Sequence, residues 1–127
     1  MAAKRVKWRD KPQAKDFDAA ADYLRLILPE RKAAAVVAKF RRAKTIKQLP
    51  KDIERASGLR LLTAKDPEVD DKLKKLKKGE PLSPILLIRG SISSGMPATI
   101  ADGYHRVCAA YIVDQAAEIP CRLVDLS

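Results

Sequence analysis

Apolar positions along this chain follow two different rules, and the change comes near Gly58. Before it they step by three and four residues, the spacing of one buried face on a helix. Phe17, Ala20, Ala21, Leu24, Ile27 and Leu28 predict an amphipathic helix from Asp16, stopped by Pro29. Ala33, Val36, Val37 and Phe40 predict a second over residues 29–42, with Pro29 near its start, where a missing N–H costs nothing. Ile46, Leu49, Ile53 and Ala56 predict a third, broken near Pro50 and closed by Gly58 as its C-terminal cap.

After Gly58 short apolar runs alternate with turn residues and one charged helix. Residues 59–63 read as a short strand. Asp66 is placed to cap the next helix, and Pro67 fits its first position. Glu68, Asp70 and Asp71 match the positive end of its dipole, and Lys72, Lys74, Lys75, Lys77 and Lys78 match the negative end. Residues 84–88 are uninterruptedly apolar, as in a central strand covered on both faces. A serine- and glycine-rich turn over residues 90–95, a strand at 98–101, an Asp102-Gly103 turn, a helix to about Val113 and a strand over residues 119–126 complete the pattern. The expectation is an α+β fold: a small mixed sheet with helices, preceded by a basic helical region. The stretches are a flexible basic arm at 1–15, helices at 16–57 and the sheet-bearing domain at 58–127.

A chain of 127 residues with 46% hydrophobic content can bury one domain-sized core. No apolar run approaches the roughly 20 residues of a membrane span, and the basic opening residues lack the apolar stretch of a secretory signal, so a cytoplasmic protein with no membrane partner is expected. Cys108, Cys121 and the single His105 make no four-ligand zinc pattern, so no metal site is expected, and both cysteines read as buried thiols.

Charge is unevenly spread. Residues 1–57 hold 16 Lys plus Arg against 7 Asp plus Glu, nearly all of the net +10. Between Arg31 and Lys51 there are eight basic residues and no acid, and Arg31, Lys32, Lys39, Arg41, Arg42 and Lys44 are the candidate contacts for a nucleic acid. Trp8, in the basic arm, either stacks on a base or docks the arm on the body; docking is the commoner fate.

The most unusual chemistry sits at residues 100–111. If a helix starts near Tyr104, His105 and Arg106 occupy its first turn, where the macrodipole disfavours positive charge and free N–H groups need acceptors. A bound anion satisfies both, and Gly103 lets it approach the backbone. The plainer alternative is a simple turn followed by a solvated arginine.

The order of elements over residues 59–126 resembles the ParB/sulfiredoxin superfamily. Asp66-Pro67 opening the first helix, residues 82–88 as the middle strand, and residues 101–111 followed by 119–124 carry the resemblance. It implies that Asp102, Gly103, Tyr104, His105 and Arg106 line a nucleotide-phosphate site for ATP, ADP or CTP, with or without Mg²⁺. It further implies that Asp66 and Glu68 are the candidate catalytic carboxylates of a small phosphotransferase or nucleotide hydrolase. Sulfiredoxins place a cysteine where this chain has Tyr104, and a phenol cannot replace that thiolate, so sulfinic-acid reduction is not expected. The alternative is a DNA- or RNA-binding module that uses the basic half, with the second half as a nucleotide sensor.

Overall fold

A computed structural model describes residues 6–127. The elements run α1 (Ala14–Leu24), α2 (Glu30–Arg42), β1 (Ile46–Gln48), α3 (Pro50–Ser57), α4 (Pro67–Lys77), β2 (Ile85–Ile88), β3 (Thr99–Asp102), α5 (Tyr104–Asp114) and β4 (Ile119–Val124). The fold is mixed α+β. Its sheet has the order β1-β4-β2-β3, with β2 parallel to β4 and the other two pairings antiparallel. The apolar run at 84–88 predicted a doubly covered strand, and β2 is buried along its whole length between β4 and β3.

Helices cover both faces of the sheet. On one, Leu86, Ile88 and Val124 pack with Phe17, Ala20 and Leu24 of α1 and Val36, Val37 and Phe40 of α2. On the other, Ile85, Leu87, Ile119 and Cys121 meet Ile53 of α3 and Val107 and Ala110 of α5. Helix α4 lies outside α5, with Val69 against Cys108 and Ala109. Residues 16–57 and 58–127, set apart by their sequence patterns, therefore share one core. Arg122 of β4, only 8% exposed, ties them further: its guanidinium donates to the carbonyls of Phe40 and Arg41 at the end of α2. Those last carbonyls carry the negative end of the helix dipole, so a cation is favoured there.

Three expectations are corrected. Residues 46–48 form strand β1 rather than the start of a third helix; Pro50 pushes the preceding residue into extended geometry and opens α3 at its own position. Residues 59–63 contain no strand, because α5 takes up their polar groups: Tyr104 Oη donates to the Arg60 carbonyl and the Leu62 amide lies 3.4 Å from Cys108 Sγ. The first helix stops at Leu24, several residues before Pro29.

Part of the expected arm, residues 1–5, lies outside the described residues. Beyond it the chain is docked: the Arg9 amide donates to the Leu82 carbonyl, the Leu82 amide to the Lys7 carbonyl, and Trp8 packs against the α3/α5 core. No helix among the described residues is long and apolar enough to cross a membrane.

Candidate functional site

Helices α4 and α5 start close together, and each start follows from local sequence. Asp66 caps α4: its Oδ1 accepts from the Glu68 and Val69 amides, both at 3.0 Å, and Pro67 follows at the first helical position. Helix α5 has no side-chain cap. Gly103 precedes it at φ +107°, and a Cβ built there would lie 2.8 Å from Ile85 Cδ1 and 2.9 Å from Arg106 Nη2. The backbone conformation therefore favours glycine, and a Cβ would also force Ile85 or Arg106 to shift.

Tyr104, His105 and Arg106 leave the first turn of α5 in different directions. Tyr104 turns toward residues 59–62, where burial pushes its phenol pKa up, with Cys108 and the Asp66 charge adding to the effect. Its ring meets the His105 ring edge-on at 5.3 Å. His105 turns toward α4: Nδ1 lies 3.0 Å from Glu68 Oε2 and Nε2 lies 3.9 Å from Asp66 Oδ1. The two candidate carboxylates and the candidate histidine, some forty residues apart in the chain, are thus brought together. Their roles separate, however. Asp66 is 27% exposed and already engaged as a cap, whereas Glu68 is 69% exposed and is the carboxylate a substrate can reach.

Arg106 points inward and is 11% exposed. Its Nη2 donates to Asp102 Oδ2 at 2.9 Å and to the Pro84 carbonyl at 3.0 Å, while Nη1 lies 3.7 Å from Asp16 Oδ1. Asp102 and Asp16 are therefore internal counter-ions. Burial raises the Asp102 pKa against the pull of Arg106, and the neighbouring Asp16 adds to the rise. The positive charge that the sequence offered to an anion is largely answered from within, although Nε is buried without a hydrogen-bond partner among the described residues.

A feature that the sequence patterns missed lies on the Arg106 side. A small concavity of about 60 Å³ is lined by Gln13, Lys15, Lys72, Lys75, Ser83 and Arg106, with Asp16 at its base. Lys72 and Lys75 read as a dipole-matched solvated face. Their spacing from Glu68, four and then three residues, was the available signal, since it puts all three on one stripe of α4. A larger concavity, about 530 Å³ beside α3, contains none of the expected site residues. Its size does not outweigh the charged chemistry gathered at α4 and α5.

The six basic candidates lie on or just after α2. Arg31, Lys32, Arg41, Arg42 and Lys44 are exposed. Lys39 donates to the Asp125 carbonyl, and the Arg41 guanidinium sits 4.7 Å over the Phe17 ring. Among the described residues no three His, Cys, Asp or Glu side chains are grouped to hold a metal ion. Comparison of the chain with family models, with curated proteins and with solved structures found no match.

Proposed function

We propose that this protein binds a nucleotide through its phosphates between the starts of α4 and α5, in the manner of the ParB/sulfiredoxin superfamily that residues 59–126 resemble. The observation that carries the reading is the meeting of Glu68, Asp66 and His105 beside an uncapped, glycine-preceded helix start. Uncapped first-turn amides and a helix dipole favour a phosphate oxygen. Glu68, 3.0 Å from His105 Nδ1, is positioned to accept a proton from an attacking hydroxyl or water while the imidazole orients it. That arrangement suits phosphoryl transfer or nucleotide hydrolysis, in which the protein mainly positions the nucleophile and stabilises charge. A Mg²⁺ ion would come with the phosphates, because the residues alone do not gather a metal-binding set.

A thermal-shift panel of ATP, ADP and CTP, with and without Mg²⁺, tests this reading. A ligand at 100 times its dissociation constant stabilises the fold by about 2.7 kcal/mol. No stabilisation by any nucleotide would refute the reading.

One observation favours a second reading, nucleic-acid binding. Arg31 and Arg42 are eleven residues apart, so they lie on nearly the same line of α2, about 16 Å apart, with only the small Ala35 and Ala38 between them. A cationic helix face without bulky side chains fits a phosphate backbone. Binding to a DNA duplex should weaken steeply with salt, and the Arg31→Ala/Arg42→Ala variant should reduce the log–log salt slope by about 2. An unchanged slope would exclude this face.

A further inference from the structure

We infer that the concavity between α1 and α4 is the seat of a phosphate group, and that Lys15, Lys72, Lys75 and the Gln13 amide hold it. The ligand class that follows is a polyphosphate: one group at the α5 start and another in the lysine pocket. The inference deepens the nucleotide reading and rests on it.

Its volume, about 60 Å³, has room for a few waters or one small tetrahedral anion, but not for a nucleobase. Charge decides which. Four cations line it, while the acids near by are Asp16 at its base, Asp102 behind Arg106 and Asp71 beside the two lysines. Asp71 is shared: its Oδ2 lies 3.5 Å from Lys72 Nζ and 3.4 Å from Lys75 Nζ, so one carboxylate serves two ammonium groups. Lys15 has no carboxylate partner among the described residues. The cations outnumber the acids. An anion in the concavity balances the excess.

Polar neutral groups complete the wall. The Ser83 side chain is buried, and its hydroxyl donates to Gln13 Oε1 at 3.0 Å. That bond fixes the Gln13 amide at the mouth with its NH₂ donors to spare. Gln13 is also the N-cap of the eleven-residue α1, so the positive end of that helix faces the same space.

The stripe geometry links pocket and helix start. Glu68, Lys72 and Lys75 follow one another along α4, with His105 opposite Glu68 and Arg106 in the wall with Lys72 and Lys75. A chain of two or three phosphates laid along this stripe would pass from the proton acceptor to the lysines.

Inorganic pyrophosphate is the probe, followed by amide chemical shifts of the full chain and by calorimetry, with ATP titrated in parallel. Lys72→Ala/Lys75→Ala removes two half-buried pocket charges from a helix where alanine has high propensity. Lys77→Ala/Lys78→Ala removes two charges from the end of the same helix, away from the pocket, as the charge-matched control. The expected result is saturable shifts centred on Lys15, Lys72, Lys75 and Ser83. Affinity for pyrophosphate should fall about tenfold or more in Lys72→Ala/Lys75→Ala and less than about twofold in the control. Equal losses in the two variants, or unsaturable shifts spread along α2, would show general charge attraction and overturn the inference. ATP binding that is the same in wild type and Lys72→Ala/Lys75→Ala would also overturn it, while leaving the nucleotide reading intact. Pyrophosphate binding that depends on Lys72 and Lys75, without any ATP binding, would instead remove the nucleotide reading and keep the pocket as a phosphate site. Absence of binding by either ligand would remove both.

Discussion

Two neighbouring side chains in the first turn of α5 have opposite fates. His105 is 31% exposed and faces a carboxylate, Glu68, that is itself largely in solvent. Arg106, the next residue, is inside the molecule between Asp16 and Asp102. One step along a helix turns a side chain by about 100°, here from an open cleft to an internal ion-pair network. The difference teaches that a phosphate-like motif holds two kinds of residue: one kind meets a ligand, and the other keeps the turn in shape. Arg106 bridges β3, α1 and the carbonyl before β2. Its main work is architectural.

Breaking the internal side should have the largest effect. Arg106→Ala leaves Asp16 and Asp102 as buried neighbours without their counter-ion and should cost about 3 kcal/mol in urea unfolding. Wild-type stability would place Arg106 on the ligand side after all. Gly103→Ala should cost about 2 kcal/mol, from positive φ and from the clash with Ile85. A cost of a few tenths would mean that the turn relaxes freely.

The His105 side is built more loosely, and changes there should disturb stability less. Asp66→Ala removes the cap of α4 at a cost of about 1 kcal/mol, whereas Glu68→Gln should leave unfolding within about 0.5 kcal/mol of wild type while weakening any phosphoryl-transfer rate. A large destabilisation by Glu68→Gln would make its approach to His105 a structural contact.

An effect confined to alkaline pH comes from the core beneath both sides. Burial pushes the Cys121 thiol up to about 11 from its ordinary 9. Between those values the unfolded chain releases the proton and the native state keeps it, so stability should fall as pH rises from 9 to 11. Cys121→Ala should flatten that slope in pH-dependent unfolding. An identical slope in the variant would assign it to other groups.

How far the sequence reached differs between the two sides in the same way. Helices α2, α4 and α5 and strand β2 were legible because caps, prolines and apolar spacing agree locally. Strand β1 was not: Ile46, Lys47 and Gln48 are exposed, and only their pairing with Cys121, Pro120 and Ile119 makes them a strand. At the site, Asp66 and Glu68 were named from the family resemblance and His105 from the turn chemistry, and the fold brings them within reach of one another. The Asp16 partnership with Arg106 was not visible, because it joins residues ninety positions apart through tertiary packing. The lysine pocket was hidden for another reason: a dipole-matched lysine run already has a sufficient local explanation, so nothing in the run itself signals a concavity.

The most direct test of a phosphate ligand between the starts of α4 and α5 uses the only histidine. Its ring-proton resonances can be followed without ambiguity while ATP and Mg²⁺ are titrated into the full chain at constant pH. A saturable shift of the His105 resonances, with the same midpoint as the thermal stabilisation, is the expected result. Resonances that stay fixed while ATP saturates the protein would place the ligand elsewhere and contradict it.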